Sequence, residues 1–533
     1  MRNLLIILAC LLSMLLSTAH ASADKSTQAL LVELTTVKLN KSIPVLQALA
    51  EQDAEKMLPL FTSMLKGQLY YVKSDKQLLS VEKIDGVKQY SKVFSGEVVD
   101  ALPTKATKKI RVNNKVRRFL RETIARTQLS ATDSASREKA LISLLSKLDK
   151  SIVDTIQSLR KSESDKDVRE LMDVAMAMYT LSNSKDAKER LSAVHTLDGR
   201  LENEVRNLLV NVVENETDTK VKLAAEKSLA SLEDRIENYQ FVNKLFFGLS
   251  LGSVLLLAAI GLAITFGVMG VINMAHGEMI MLGAYTTYVV QLMMPNAIDY
   301  SLWVAIPLAF IVSGSVGVLI ERGVIRHLHG RPLETLLATF GISLILQQLV
   351  RSIFSPLNRQ VESPTWMSGS LDINPVLSLT LNRLYILAFA LLVFGLLLLI
   401  LNKTSLGLNV RAVAQNRNMA KAMGIRTDRV DAMTFGLGSG IAGMAGVALS
   451  QLTNVGPNLG QAYIIDSFMV VVFGGVGNLW GTLVAAFTLG IANKFIEPIT
   501  GAVLASIIVL VFIILFIQKR PKGLFPQKGR AAE

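Results

Sequence analysis

The sequence predicts an all-α polytopic membrane domain of eight or nine spans with broken helices. It is preceded by an exported, mainly α-helical domain that carries a helical repeat and a small β element. Three observations carry this reading. Residues 24–240 hold 36 Lys and Arg against 32 Asp and Glu, whereas residues 241–533 hold only 19 against 11. Apolar runs of near-spanning length begin abruptly after Gln240. The first two dozen residues have the organisation of an export signal.

In that signal, residues 1–23, Arg2 supplies positive charge and "LLIILACLLSMLLS" is the apolar stretch. "AHA" at Ala19–Ala21 places small residues before a cleavage point, expected after Ala21 with Ala23 as second choice. Cys10, the single cysteine, lies inside the apolar stretch. Its removal with the signal excludes disulfides, thiol catalysis and cysteine-ligated metals from the mature chain.

The exported domain, residues 24–240, opens with helical spacing over 24–65, interrupted at Pro44. The period then changes. "GQLYYVKSD", "QLLSVEKIDG" and "KQYSKVFSGEVV", within 67–99, are short, alternating and punctuated by turn dipeptides, as in a strand pair or meander. A basic segment, "LPTKATKKIRVNNKVRR", leads into helices that run to about Glu237. Among them "KDAKERLSAVHTL" (185–197) aligns with "TDTKVKLAAEKSL" (217–229) at a period of 32. Asp186 matches Asp218, and Leu191, Ala193 and Leu197 match Leu223, Ala225 and Leu229. This pattern resembles HEAT-type helical repeats, in which paired helices bury a Leu/Ala face on their neighbours. "DKDVRELMDVAMAM" (165–178) reads as a degenerate third copy. A repeat surface implies docking; a plain helical bundle is the other reading.

The membrane domain, residues 241–533, has candidate spans at 244–267, 276–294, 302–322, 333–354, 383–401, 430–452, 464–478, 482–496 and 500–517. The segments 464–478 and 482–496 are short for a crossing and flank "GGVGNLWG", so they read as broken or re-entrant. Basic residues gather at 321–331, 402–429 and 518–530, while the loops near 295–301 and 453–463 have none. The positive-inside rule makes the basic loops cytoplasmic. The first span then enters from outside, which places residues 24–240 in the periplasm and the C-terminus in the cytoplasm. The export signal implies the same topology.

Of the formal charge of +13, the membrane part carries +8, mostly in those loops, so the excess does not point to nucleic acid. Enzyme signatures are absent. There is no Gly-Lys dipeptide and hence no P-loop, no H-E-x-x-H and no G-x-S-x-G. No metal site or cofactor is expected.

Polar groups at membrane depth remain. "GVINMAHGEMIMLGAYTTYVV" (270–290) brings Asn273, His276 and Glu278 together, with Tyr285 on the same helical face as Glu278. Gly270, Gly277 and Gly283 suit a helix break or close packing. An ionisable group here is costly unless it faces protein, a partner or water. One reading is a substrate path lined by these four residues. The other is that Glu278 caps its helix and Asn273 makes a structural contact. Gly474, Gly475 and Gly477 mark a second break, near Asp466 and Asn478. Gln347, Gln348 and Arg351 lie late in another span, where snorkelling accounts for the arginine. The loop 402–429 has the pattern of a short basic helix ending at Gly424; docking to a soluble partner and contact with anionic lipid both suit it.

Three segments together, "GVINMAHGEMIMLGAY", "RAVAQNRNMAKAMGIRTDRVDAMTFGLGSGIAGMAGV" and "VVVFGGVGNLWGTLVAAFTLGI", resemble the permease subunits of branched-chain-amino-acid-type ABC importers, over about Leu249 to Phe525. The signal and the 24–240 extension resemble those of the urea branch of that family, B-subunit type. The resemblance implies an importer of urea or short-chain amides, with a branched-chain amino acid importer as the alternative and a stand-alone channel or secondary transporter as a further one. It implies a second permease subunit, cytoplasmic ABC ATPase subunits and a periplasmic substrate-binding protein as partners. It makes 411–425 the ATPase-coupling segment, with Arg411, Ala420 and Gly424 in family-like positions. Gln415-Asn416 stand where such loops usually carry an acidic residue.

Overall fold

The computed structural model describes residues 27–37, 41–84, 87–99 and 106–525. The export signal, Cys10 and the end of the basic tail lie outside the described residues. Packing divides the chain after Glu233 into two units.

The first unit begins with α1 (Thr27–Thr36) and α2 (Ser42–Leu65). Pro44 does not interrupt α2 but sits in its first turn, where the missing N–H has no helical partner to lose; the kink is at Asp53 instead. The β element is larger than the spacing suggested. Strands β1 (Leu69–Val72), β2 (Leu78–Ile84), β3 (Val87–Lys92), β4 (Val98–Val99) and β5 (Thr107–Lys109) form one antiparallel sheet in the order β4-β3-β2-β1-β5. Strand β5 comes from the segment read as a basic lead-in. It pairs with β1, Tyr71 opposite Lys108, and so closes an edge that charge alone did not reveal. Leu46, Leu49, Phe61 and Met64 of α2 bury against Leu69 and against Val116 and Leu120 of α3 (Asn114–Gln128).

Five helices follow: α4 (Ser134–Leu144), α5 (Lys150–Arg160), α6 (Lys166–Asn183), α7 (Ala187–Leu197) and α8 (Asn203–Asn215). Asp133, Asp149, Asp165 and Asp186 cap α4, α5, α6 and α7 by accepting backbone N–H bonds. Two clamps of one design recur. Arg137 makes two 2.8 Å bonds to Glu163, and Arg190 makes bonds of 2.9 and 3.0 Å to Glu216. Each pair is 26 residues apart, and each glutamate also accepts the N–H of an aspartate two residues on, Asp165 or Asp218. The aligned Leu/Ala face is only partly buried: Ala193, Leu197 and Ala225 are enclosed, but Leu223 is 66% exposed.

Helix α9 (Thr219–Met269) runs through the position where the sequence change suggested a helix end, and its apolar part belongs to the second unit. There follow α10 (His276–Met293), α11 (Ile298–Gly323), α12 (Pro332–Phe354), a hairpin of β6 (Ser370–Asp372) and β7 (Ser378–Thr380), and α13 (Leu381–Lys403). Next come α14 (Ser405–Gln415), α15 (Arg417–Ala422), α16 (Thr427–Ser450), α17 (Leu459–Gly474), α18 (Leu479–Thr500) and α19 (Ala502–Lys519). Among the described residues, seven helices are long and apolar enough to cross a membrane. Each candidate interval is mainly helical, though 464–478 loses its helix after Gly474, and α10, diluted by polar residues, and α17, with 16 residues, fall short of that measure. Segment 482–496 is not short: it lies within the 22-residue α18.

Helix α16 is the centre of this unit. Its "GLGSGIAGMAG" run has little side-chain bulk, so neighbouring backbones approach it directly. A Cβ at Gly283 of α10 would lie 2.6 Å from Gly443 Cα, and one at Gly277 would stand 2.8 Å from the carbonyl carbon of Gly460.

Candidate functional site

The polar residues of α10 are placed by the break before it. Gly270 ends α9 with φ +65, a backbone conformation that disfavours other residues. In the turn that follows, Asn273 Oδ1 accepts the Ala275 N–H at 3.0 Å, and Met274 N–H donates to Thr339 Oγ1 of α12 at 3.1 Å. Asn273 is buried and supports this turn.

Glu278 lies in the first turn of α10 and is 1% exposed. Its Oε1 accepts from Ser343 Oγ at 2.9 Å and from Gln347 Nε2 at 2.7 Å, both on α12. Its Oε2 is buried with no hydrogen-bond partner. Tyr285, two turns on, is also enclosed, its ring 4.9 Å from that of Phe354 on α12 and its hydroxyl unpartnered. Leaving a buried acceptor or hydroxyl unsatisfied costs about 1–3 kcal/mol, and more for a charge. Among the described residues no cation forms an ion pair with Glu278; its hydrogen-bond partners are neutral, and the charge that acts on it from farther along α12 is Arg351.

The other candidates fall elsewhere. His276 is fully buried, but its Nε2 bonds to Ala258 O of α9 at 2.9 Å, so it faces away from the Glu278 seam. Asp466 is half-buried on α17. Asn478 caps α18 through Gly481 N–H at 3.2 Å and donates to Phe525 O at 3.2 Å, which holds the segment at Phe525 against the Gly474–Gly477 turn. Gly475 and Gly477 both take positive φ there, and Gly474 packs on Gly481. Sequence reading missed Ser343, and it noted Gln347 late in its span without joining it to Glu278. The signal was present: Thr335, Thr339, Ser343 and Gln347 recur every four residues, which is one helical face.

A second polar site surrounds α15. Asn416 caps it, accepting Met419 N–H at 2.9 Å, which gives this amide a local structural use. Ala420 packs with Val410, Val413 and Val430. The helix ends with Ile425 N–H on Ala420 O and Gly424 N–H on Lys421 O, both 3.1 Å, with Gly424 at φ +88. Arg411 turns back onto Leu401 O. Arg417 binds both oxygens of Asp431, which is 1% exposed on α16. His329 Nε2 is 3.7 Å from the same carboxylate. Burial, with the Arg417 charge nearby, holds that imidazole below its usual pKa. Beside α15 opens a groove of about 580 Å³ lined by Arg322, Arg326, Lys421, Arg426 and Arg429, among others.

Residues 244–517 match the family described as branched-chain amino acid transport system / permease component. The chain belongs to that family. It is 30% identical over 299 residues to the high-affinity branched-chain amino acid transport system permease protein BraD of Pseudomonas aeruginosa, covering 54% of this chain and 96% of that protein. Against LivH of Escherichia coli strain K12, a permease protein of the same description, identity is 30% over 296 residues, 53% of this chain and 95% of LivH. Ribose import permease protein RbsC of the same organism is 25% identical over 293 residues, 52% of this chain and 87% of RbsC. No solved structure matches the chain. These relatives are transport permeases, so the family match agrees with a membrane subunit and not with an enzyme. Nearly their whole length corresponds to about half of this chain.

Proposed function

We propose that this chain is the transmembrane permease subunit of a multi-subunit, ATP-driven importer in the cytoplasmic membrane. A second permease subunit completes the path, cytoplasmic ABC ATPases drive it, and a periplasmic protein delivers the cargo. The observation that carries the reading is Glu278. In a permease family member, a carboxylate enclosed among apolar helices has neutral partners on one oxygen and none on the other. The absence of a P-loop assigns ATP to the partner subunits.

On the cargo, the relatives named for branched-chain amino acids support that class best. A second reading, urea or a short-chain amide, has its own support. Urea offers four N–H donors and one carbonyl and needs no fixed counter-charge, which fits a carboxylate whose hydrogen-bond partners, Ser343 and Gln347, are both neutral. The residues before the family match, which the relatives' length does not cover, also set this chain apart from them.

The groove beside α15 is proposed as the ATPase-docking surface, since five cations against two carboxylates, Glu321 and Asp428 (the latter paired with Arg326), leave an excess of positive charge that suits an acidic face on a soluble partner. Residues 24–240 are proposed as a periplasmic docking module, with the C-terminus cytoplasmic. The two Arg–Glu clamps, which recur 53 residues apart and not at the 32-residue period, support a module of repeated helix packing.

The test is uptake of labelled urea and labelled leucine, each at low micromolar concentration, in cells with and without the chain. Chain-dependent uptake of leucine alone establishes the amino-acid importer. Chain-dependent uptake of urea that excess leucine does not inhibit establishes the second reading. Chain-independent uptake of both removes these cargoes.

A further inference from the structure

Helix α12 has its polarity divided along its length. Thr335, Thr339, Ser343 and Gln347 are 1%, 0%, 6% and 3% exposed, while Leu337, Leu344 and Ile345 are 70%, 48% and 66% exposed. An apolar outer face suits lipid. The buried polar stripe faces the break before α10 and then Glu278, through Met274 N–H to Thr339 and through Ser343 and Gln347 to the carboxylate.

Such stripes also serve as interhelical glue in membranes. Glue satisfies its own members, and here Thr335 and Thr339 do bond to carbonyls of their own segment. Glu278 and Tyr285 are not satisfied. Both are at least nine-tenths buried in the same seam, and each retains a polar atom with no partner. The free atoms are a carboxylate oxygen, which accepts, and a phenol, which donates or accepts.

We propose that the α10–α12 seam binds a ligand nitrogen that carries hydrogens, taken by Glu278 Oε2, and that Ser343 and Gln347 set the affinity by occupying Oε1. This deepens the importer reading and rests on it for the identity of the ligand. Two sources share this chemistry: the N–H groups of an amide such as urea, and the ammonium of an amino acid. Gln347 is here a specificity residue. Its carboxamide bonds Glu278 as an amide ligand would.

The experiment uses the whole importer complex in proteoliposomes, with uptake of urea and of leucine measured separately. Gln347→Leu removes one of the two bonds to Oε1, leaving that of Ser343, and is expected to shift the half-saturating concentration by about tenfold with maximal rate retained. Glu278→Gln is expected to abolish uptake of leucine, which presents an ammonium, but only to weaken uptake of urea, which presents amide N–H groups, and this separates the two sources. A second measurement does not depend on the cargo. Ser343→Cys and Thr339→Cys are treated with a small hydrophilic thiol reagent during ATP turnover, with lipid-facing Leu344→Cys for comparison. Selective labelling at 339 and 343 supports the seam as a water-accessible ligand route even if neither cargo is moved, in which case the cargo assignment alone fails. Inert cysteines at 339 and 343, or unchanged uptake constants in both Gln347→Leu and Glu278→Gln, overturn the proposal.

Discussion

Arg417 binds both carboxylate oxygens of Asp431 and so ties α15 to the start of α16. Asp431 is 1% exposed, while the Arg417 side chain is 33% exposed. Breaking a fully buried ion pair from one side costs about 3–5 kcal/mol, and the access of water to Arg417 reduces that figure here. Asp431→Ala and Arg417→Ala are each expected to lower ATP-driven uptake by about tenfold while the chain still inserts in the membrane. Uptake and ATPase co-purification, measured together, check this; parental uptake in both variants would remove α15 from the coupling role.

Gly424 ends α15 at φ +88 with open space around it. A side chain there meets no neighbour and strains only the backbone, by about 1–2 kcal/mol. Gly424→Val is expected to loosen the helix end and reduce co-purified ATPase several-fold, whereas Gly341→Ala, on the open side of α12, leaves it unchanged. Equal recovery from both variants would separate the helix end from docking.

At Gly283 the obstacle is a backbone. A Cβ would lie 2.6 Å from Gly443 Cα, and main chain cannot move aside as a flexible side chain can. Overpacking typically costs about 1–3 kcal/mol, more where backbones must separate. Gly283→Val should therefore give little detergent-stable protein, read by size-exclusion fluorescence. A normal monodisperse yield would show that α10 and α16 can part without loss.

The clamps of the first unit make its stability depend on acid. Arg137 holds the Glu163 carboxyl below its ordinary pKa, and the Asp218 N–H followed by Arg190 does the same for Glu216. Each therefore contributes stability that is complete above the unfolded carboxyl range and is lost as pH falls through the lower, folded value. Hydrogen exchange in α4–α8, corrected for intrinsic rates, should lose protection between about pH 5 and pH 3. In the Glu163→Gln/Glu216→Gln variant, protection should start lower and change less over that window. An equal acid response in parent and variant would place the pH dependence elsewhere.

Deleting residues 24–236 while keeping residues 1–23 should weaken uptake without preventing assembly of residues 241–533, as expected of a docking module. Uptake and complex assembly, compared in the same membranes, check this. Unaltered uptake would leave the module without a role in transport.

The sequence by itself determined the division into a charged and an apolar part, the helical character of each candidate span, and the family, because composition and apolar runs are local and the quoted motifs are contiguous. It also singled out Glu278, since a carboxylate in an apolar run is conspicuous wherever the chain folds. Tertiary structure decided the rest. Asn273, His276, Glu278 and Tyr285 are near in sequence, but a helix turns about 100° per residue. His276 therefore reaches α9 while Glu278 reaches α12. Ser343 and Gln347, 65 and 69 residues from Glu278, complete its surroundings only because α12 lies along α10. The added strand β5 and the uninterrupted α9 follow the same logic: strand pairing and the packing of a helix's flanks depend on distant residues, which no local pattern contains.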